Sequence, residues 1–204
     1  MITLIDYGLG NIKAFANVYK NLNIPVSIAR NSDQLLDTER LILPGVGSFD
    51  YAMQRLTDSG MRETLDHLVI NKGIPVLGIC VGMQMLAKSS EEGTSPGLGW
   101  IDGVVKRFDP SSFDYCACIP HMGWNDVVPV GKSNLMLNLE QDARFYFLHS
   151  YYFHCFEAHD TIAASNYGIE FSSAVGHKNI YGVQFHPEKS HQWGMQLLRN
   201  FATM

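Results

Sequence analysis

Cys80 lies between two glycines at the end of an apolar run, in the segment PVLGICVGMQ that covers residues 75–84. Gly78, Cys80 and Gly82 have the spacing of the G-x-S-x-G nucleophile elbow, with a thiol in place of the hydroxyl. In that elbow the nucleophile occupies a sharp turn from strand to helix, and the following backbone N–H points towards a developing oxyanion. The same spacing also fits a buried cysteine at a strand end, where glycines permit close packing. The motif alone does not separate the two interpretations.

A general base for such a thiol is available near the other end of the chain, in the segment GVQFHPEKS. A cysteine nucleophile needs a base, and that base needs a third group to orient it. On an extended backbone His186 and Glu188 point to one face, and Pro187 disfavours a helical conformation at His186. Glu188 would then accept from one imidazole nitrogen while the other meets Cys80. A His-x-Glu pair is usually structural, but with an elbow cysteine it indicates a catalytic triad.

The segment PGVG at residues 44–47 follows a predicted strand and offers a backbone with little side-chain bulk. Glycines allow such a backbone to approach a ligand closely and to change the direction of its amides. The N–H groups of Val46 and Gly47 are therefore candidate oxyanion donors, which would join the N–H of Val81. A plain turn after the strand is the alternative interpretation.

These residues need a scaffold, and the alternation of β-rich and helical patterns predicts a parallel sheet with helices on both faces. Predicted strands cover residues 1–6, 25–30, 40–45 and 74–79, and predicted helices cover 11–22, 49–73 with a break at Gly60, and 81–92. Further strands are predicted at 97–108, 144–153, 161–168, 171–179 and 180–188, before a final helix at 192–204. We expect the later strands to extend the same sheet within a single domain, residues 1–204.

Such a sheet would place the elbow beside the PGVG segment. Ligands of open α/β sheets bind beyond the carboxyl ends of the strands. Cys80 and residues 44–47 both fall at predicted strand ends. We therefore expect them to be neighbours, although Gly47 and Cys80 are 33 positions apart in the sequence.

Two other motifs are too incomplete to indicate a cofactor or a metal. Gly8-x-Gly10 begins like a dinucleotide-binding fingerprint, but Lys13 stands where the third glycine is needed. Cys116, Cys118 and His121 match no zinc-binding spacing well and lack a fourth ligand. We predict neither a cofactor nor a metal site.

Composition narrows the class of protein. A hydrophobic content of 46% and a charged content of 17% over 204 residues are those of a globular chain. The formal net charge of −5, without a basic run, argues against a nucleic-acid partner. No apolar run approaches the roughly 18 residues that span a bilayer, and the N-terminus lacks the basic region of a signal peptide. Four cysteines without a secretion signal then suggest reduced thiols and a cytoplasmic location.

Together these motifs resemble the Cys-His-Glu triad of class I glutamine amidotransferases. Over the whole chain the sequence resembles the glutaminase subunits of imidazole glycerol phosphate synthases. The matching segments are DYGLGN at 6–11, LPGVGSF at 43–49, GICVGMQ at 78–84, PHMGWN at 120–125, FLHSY at 147–151 and QFHPEKS at 184–190. The resemblance implies the fold of that family, a flavodoxin-like, open, mainly parallel mixed sheet with helices on both faces. It also implies that glutamine is hydrolysed to glutamate and ammonia through a γ-glutamyl thioester on Cys80.

The resemblance further assigns roles to residues that the spacing arguments leave open. Gln84, Glu92, Ser150 and Tyr151 would hold the α-amino and α-carboxylate groups of L-glutamine, with Gly47 lining the pocket. The expected partner is a (β/α)₈-barrel cyclase subunit, in a heterodimer that passes ammonia to the cyclase in L-histidine biosynthesis. The positions expected at or near that interface are Asn11, His121, Met122, Trp124, Tyr146 and Lys189. The family keeps its glutaminase nearly idle without the partner's substrate, so we hypothesise that the backbone of Gly45–Gly47 is the switch.

Other interpretations remain open at the level of sequence. The tail HPEKSHQWGMQLLRNF resembles a paralogous branch that supplies ammonia for amidino-sugar formation in surface-polysaccharide biosynthesis. A non-catalytic scaffold for the barrel subunit is a hypothesis of another class, although a scaffold has no need of an intact triad. A cysteine hydrolase or peptidase on a related fold would not require Gln84, Glu92 or the PHMGWN segment.

Overall fold

A computed structural model describes residues 1–113 and 118–204, which form strands β1–β13 and helices α1–α5. The first strands are β1 (Ile2–Ile5), β2 (Val26–Ala29), β3 (Leu41–Gly45), β4 (Val76–Cys80), β5 (Ser89–Ser90), β6 (Gly103–Arg107) and β7 (His121–Asp126). The others are β8 (Val128–Pro129), β9 (Arg144–His149), β10 (Tyr151–Cys155), β11 (Thr161–Tyr167), β12 (Ile169–His177) and β13 (Ile180–Val183). The helices are α1 (Ile12–Asn21), α2 (Phe49–Asp58), α3 (Arg62–Asp66), α4 (Val81–Gln84) and α5 (His191–Thr203).

Five parallel strands form one side of the main sheet, in the order β2-β1-β3-β4-β13. This is the flavodoxin-like order, in which the chain first moves outward from β1 and then returns past it. Right-handed crossovers in the two opposite directions place α1 on one face of the sheet and α2 with α3 on the other. The predicted α/β sheet with helices on both faces is therefore confirmed.

Antiparallel strands extend this sheet, as the second half of the sequence predicts. Strand β12 pairs with β13, and β10 and β6 follow it, with β11 also on β12. Strands β7 and β9 instead form a separate two-stranded antiparallel sheet. That small sheet joins the main one near the candidate site, because the backbone N–H of His186 donates to the carbonyl of Tyr146 on β9 (2.9 Å).

The core lies between the sheet and its helices. All residues of β1, β3 and β4 are buried, as expected of parallel strands that are covered on both faces. Helix α1 packs beside α5, where the hydroxyl of Tyr19 donates to the carbonyl of Leu198 (3.2 Å). No helix in the described part of the chain is both long and apolar enough to cross a membrane.

Three predictions of local structure are wrong. The predicted helix over 81–92 ends at Gln84, and Ser89–Ser90 form a strand against β6. Serines favour such a change, because their side chains compete for backbone hydrogen bonds in a helix. The predicted strand over 144–153 is two strands in different sheets, β9 and β10, which meet at Ser150.

The third error concerns His186 and Glu188, which do not lie on one extended strand. His186 is extended, but Pro187–Lys189 form a 3₁₀ turn that begins at the proline. This turn, rather than a shared strand face, brings Glu188 to the imidazole. The predicted break at Gly60 is confirmed, since α2 ends just before it and Gly60 has a φ of 69°. Cys116, one of the three residues weighed as metal ligands, lies outside the described residues.

Candidate active site

Cys80 ends β4 and immediately precedes α4, with φ 56° and ψ −115°. A positive φ is uncommon for a residue other than glycine, and such strain persists only where the surroundings enforce it. The two motif glycines provide that enforcement by close packing. A Cβ on Gly78 would lie 2.6 Å from the carbonyl oxygen of Gly82, and one on Gly82 would lie 1.9 Å from that of Leu43. Cys80 therefore occupies a tight, strained turn from strand to helix, the geometry predicted for an elbow, rather than a plain strand end.

The PGVG segment lies directly beside this elbow, as its position in the sheet predicts. Gly45 is the register partner of Cys80 in the parallel β3–β4 pair. Gly47 follows with a φ of 89°, a conformation that strongly favours glycine. The first backbone N–H of α4, that of Val81, belongs to the residue after Cys80. The candidate oxyanion donors Val46, Gly47 and Val81 all line one cavity with Cys80.

His186 and Glu188 complete a buried triad with Cys80. The Nδ1 atom of His186 lies 3.0 Å from Oε1 of Glu188, and both side chains are almost fully buried. The imidazole also interacts with Cys80, and both side chains line the same cavity. Burial of His186 opposes its charged form, but its interactions with Cys80 and Glu188 outweigh burial and raise the pKa of His186 to about 10. The geometry thus favours an imidazolium between Glu188 and the sulfur of Cys80.

Cys80 and His186 line a cavity of about 310 Å³. Its other walls carry all of the residues expected to hold glutamine: Gly47, Gln84, Glu92, Ser150 and Tyr151. Pro120, Leu148, His149 and Lys189 also line it, and of these only Lys189 carries a predicted role, at the interface. One cavity therefore unites residues from positions 46 to 189 of the chain.

Glu92 also caps a helix at the edge of this cavity. Its Oε2 atom accepts from the backbone N–H of Phe49 (2.8 Å), the first residue of α2. Ser48, the residue before that helix, makes no side-chain cap of its own. A carboxylate at a helix N-terminus is favourable because the N–H groups there are unpaired and the dipole is positive. Glu92 is thus fixed at the pocket wall rather than solvated.

Gln84 is held by Tyr151 and by Gln184, a residue that sequence reasoning did not single out. The Nε2 atom of Gln84 donates to the carbonyl of Tyr151 (3.2 Å) and to Oε1 of Gln184 (3.1 Å). Gln184 is fully buried, and its own Nε2 lies 3.9 Å from the sulfur of Cys80. A polar residue within the apolar run GVQF, two positions before His186, was the available signal.

The residues expected at a partner interface occupy the small sheet and its surroundings. Strand β7 alternates, with His121 facing inward and Met122 and Trp124 outward, where they are 64% and 41% exposed. Register pairs them with Leu148 and Tyr146 on β9. Trp124 is therefore exposed on a strand rather than buried in the core.

The other interface candidates differ in exposure. The ammonium of Lys189 lies 5.7 Å from the ring centre of Tyr146, and Asn11 is exposed at the start of α1. His121 is instead buried, stacked between Phe147 and Tyr167 at centroid distances of 4.7 and 4.1 Å. Its side chain therefore points to the buried side of the small sheet, opposite the exposed side that carries Met122 and Trp124.

Comparison with known proteins identifies the family of this chain. The family profile "Glutamine amidotransferase class-I" matches residues 3–204. The chain belongs to the class-I glutamine amidotransferases. This amidotransferase is 59% identical to imidazole glycerol phosphate synthase subunit HisH of Bdellovibrio bacteriovorus, over 99% of both chains. It is 54% identical to the HisH subunit of Leptospira borgpetersenii, over the full length of both.

Solved structures agree with this amidotransferase in fold at much lower sequence identity. A structure described as a glutamine amidotransferase superposes with a TM-score of 0.74 at 19% identity, covering 100% of this chain and 99% of the other. The structure of PurLQS from Thermotoga maritima gives a TM-score of 0.73 at 16% identity, covering 99% of this chain and 97% of the matched one. These similarities support the class I amidotransferase fold that the motifs imply.

Proposed function

We propose that this amidotransferase is the glutaminase subunit of an imidazole glycerol phosphate synthase, which supplies ammonia to a cyclase subunit in L-histidine biosynthesis. One observation carries the proposal. Cys80 and His186 line a single cavity with all of the residues expected to hold glutamine, and Glu188 is paired with His186. The full-length similarity to HisH subunits supports the assignment of this site to L-histidine biosynthesis. We also propose that residues 1–204 act as one domain.

In the proposed reaction the Cys80 thiolate attacks the side-chain amide carbon of glutamine, forming a C–S bond and a tetrahedral oxyanion. His186, as imidazolium, gives its proton to the amide nitrogen, and ammonia leaves as the C–N bond breaks. Neutral His186 then takes a proton from water, which attacks the γ-glutamyl thioester. The C–S bond breaks, glutamate is released, and the thiolate–imidazolium pair is restored. Glu188 orients the imidazole and stabilises its charge throughout.

The oxyanion needs donors aimed at the place where its charge develops. The N–H of Val81, at the first residue of α4, is one such donor. A second comes from the amides of Val46 or Gly47 across the cavity. Because Gly47 has the backbone freedom of glycine, a change in the direction of these amides would switch the site between idle and active states.

The partner would dock on the face formed by Met122, Trp124, Tyr146 and Leu148. Aromatic residues and methionine are enriched at the centres of protein interfaces, and Lys189 adds a charge at the edge. Leu148 also lines the cavity, so this face adjoins the site where ammonia is formed. A heterodimer assembled here would receive ammonia without its release into solvent.

A specific observation keeps the amidino-sugar pathway as a second candidate. His191, within the tail that resembles the polysaccharide branch, stacks on Trp124 with ring centres 5.4 Å apart and planes 8° from parallel. The tail therefore contributes to the proposed partner face. Residues that distinguish the partner of one pathway from that of the other would therefore lie on this face, while the chemistry at Cys80 would be the same in both.

The deciding experiment measures release of ammonia and glutamate from glutamine by the full chain, alone and with a matched cyclase plus its ribonucleotide substrate. We expect strong stimulation by the cyclase and loss of turnover in Cys80→Ala. Stimulation only by a partner from a surface-polysaccharide pathway would transfer the protein to the second candidate. Absence of turnover with either partner would reject both and leave the scaffold hypothesis.

A further inference from the structure

Gln184 is a buried polar group for which the proposed reaction has no use. It lies just after β13, two residues before His186, and its side chain has no exposure to solvent. Its Nε2 atom is 3.9 Å from the sulfur of Cys80, within hydrogen-bonding range for that large atom. A buried carboxamide is costly unless all of its groups are paired, so its orientation has to be accounted for.

The orientation of Gln184 follows from a backbone carbonyl. The oxygen of Tyr151 can only accept, so the side-chain atom of Gln84 that faces it, at 3.2 Å, is the amide nitrogen. That nitrogen can only donate, so the atom of Gln184 that faces it, at 3.1 Å, is the oxygen. The remaining atom of Gln184, its NH₂ group, therefore faces Cys80. The sulfur must be the acceptor of this hydrogen bond.

The Tyr151 carbonyl is itself fixed by a second donor. His149 Nδ1 lies 2.8 Å from this carbonyl and must donate to it. Burial lowers the pKa of His149 to about 3, so the ring is neutral and its Nε2 accepts from Nδ1 of His121 (2.9 Å). His121 is neutral as well, since burial lowers its pKa to about 4, and its Nε2 accepts from Asn125 (3.3 Å). The chain of hydrogen bonds has a single direction, from β7 to the Tyr151 carbonyl.

We propose that Gln184 is a positioning residue that holds the sulfur of Cys80 as a hydrogen-bond acceptor, in an orientation set by Gln84 and the Tyr151 carbonyl. The inference rests on the proposed role of Cys80 as nucleophile. A thiolate accepts hydrogen bonds far better than a thiol, so a donor that cannot reverse its direction favours the thiolate. The same N–H stabilises the sulfur again when water opens the thioester and the thiolate leaves.

Two variants at one position test this role. Gln184→Met keeps the length and approximate shape of the side chain but removes the donor. Gln184→Glu keeps the oxygen that accepts from Gln84 but replaces the donor that faces the sulfur with an acceptor. The matched control is Asn200→Leu, because Asn200 is also a buried carboxamide that does not line the cavity. Its nitrogen donates to the carbonyls of Leu135 and Leu137 (2.9 and 2.7 Å).

The first readout is the pH profile for alkylation of Cys80 by iodoacetamide in the free full-length chain, followed on the Cys80 peptide by mass spectrometry. We expect the midpoint to rise by about one pH unit in Gln184→Met, equivalent to about a tenfold loss of thiolate at lower pH. Gln184→Glu should shift it further. Asn200→Leu should lower the stability of the fold without moving the midpoint, which separates positioning of the sulfur from general destabilisation.

The second readout is glutamine turnover in the complex with the partner. We expect kcat of Gln184→Met to fall about tenfold, the loss that accompanies about 1.4 kcal/mol, while KM for glutamine changes less than about twofold. An unchanged alkylation midpoint and an unchanged kcat in Gln184→Met would overturn the inference about Gln184 but leave the proposed function standing. Full turnover by Cys80→Ala would instead overturn the proposed function.

Discussion

Gly45 and Gly82 pack so closely that a Cβ on Gly45 would lie 2.4 Å from the backbone nitrogen of Gly82. The strand that leads into the candidate oxyanion segment therefore touches the turn that carries the candidate nucleophile. Because both surfaces are backbone, neither can give way as a flexible side chain would. Any displacement of residues 45–47 must therefore also displace the backbone around Cys80.

Gly45→Ala should consequently destabilise the fold and slow alkylation of Cys80. Overpacking of this kind costs about 1–3 kcal/mol, measured as the free energy of unfolding in urea. Gly176→Ala is the control, since its Cβ would meet only side-chain atoms, the nearest at 3.2 Å. Equal losses of stability and reactivity in the two variants would contradict the predicted coupling.

Gly47→Pro should abolish stimulation of the glutaminase by the partner. Proline fixes φ near −65°, whereas Gly47 has a φ of 89°, so the segment could not keep its conformation. Loss of one oxyanion donor costs on the order of 100- to 1,000-fold in kcat. The measurement is glutamine turnover with and without the partner's ribonucleotide. Full stimulation in this variant would reject the switch hypothesis for residues 45–47.

Glu188→Gln should reduce the dependence of stability on pH between about 6.5 and 10. The pKa of His186 is raised from 6.5 to about 10 in the folded state, so its ion pairs stabilise the fold fully below pH 6.5. That contribution is lost as the pH rises through 10. Urea unfolding across this range should show a smaller decline in the variant. Glu157→Gln, beside exposed His159, is the control and should leave the decline unchanged.

His121→Phe should reduce the loss of stability in acid. The pKa of His121 is lowered by burial from 6.5 to about 4, so its contribution is present above 6.5 and lost as the pH falls towards 4. One proton fewer taken up on unfolding lowers the slope by up to about 1.4 kcal/mol per pH unit. Unfolding free energies between pH 7.5 and 4.5 test this. An unchanged slope, or the same change in His67→Phe, would contradict it.

Trp124→Ala should weaken binding of the partner subunit by about 10- to 100-fold, because exposed tryptophans at interface centres carry much of the binding energy. Titration calorimetry with the purified partner measures the loss. Ile70→Ala is the control, since Ile70 is similarly exposed but precedes β4 at the edge of the sheet opposite the site. Equal affinity of Trp124→Ala and the unaltered chain would remove this face from the proposed interface.

Much of the site could be predicted because its motifs lie at the ends of strongly patterned strands. Gly78, Cys80 and Gly82 follow a fully apolar strand, so both the elbow and its position at the carboxyl edge can be inferred. The separation of β9 from β10 could not, because residues 144–153 form a continuous β-rich run without a turn residue other than Ser150. Local sequence patterns do not indicate which sheet a strand joins.

The roles of Gln184 and His149 were missed for a related reason. Each is a polar residue at or just beyond the end of a largely apolar strand, and its partners lie on other elements of the chain. His121 was assigned to the interface with its neighbours, because the sequence does not reveal that alternate residues of β7 face opposite ways. Only the pairing of β7 with β9 distinguishes the inward-facing residues of β7 from the outward-facing ones.

That pairing limits how this part of the chain can change in length. Inner positions of β7 and β9 carry His121 and His149, while outer positions carry Trp124 and Tyr146. One inserted residue within β7, between His121 and Trp124, would turn one of these two side chains to the wrong face. An insertion at residues 130–133, in the connection before β9, would leave both faces intact. We therefore expect natural variation in length to fall in that connection and to spare the strand.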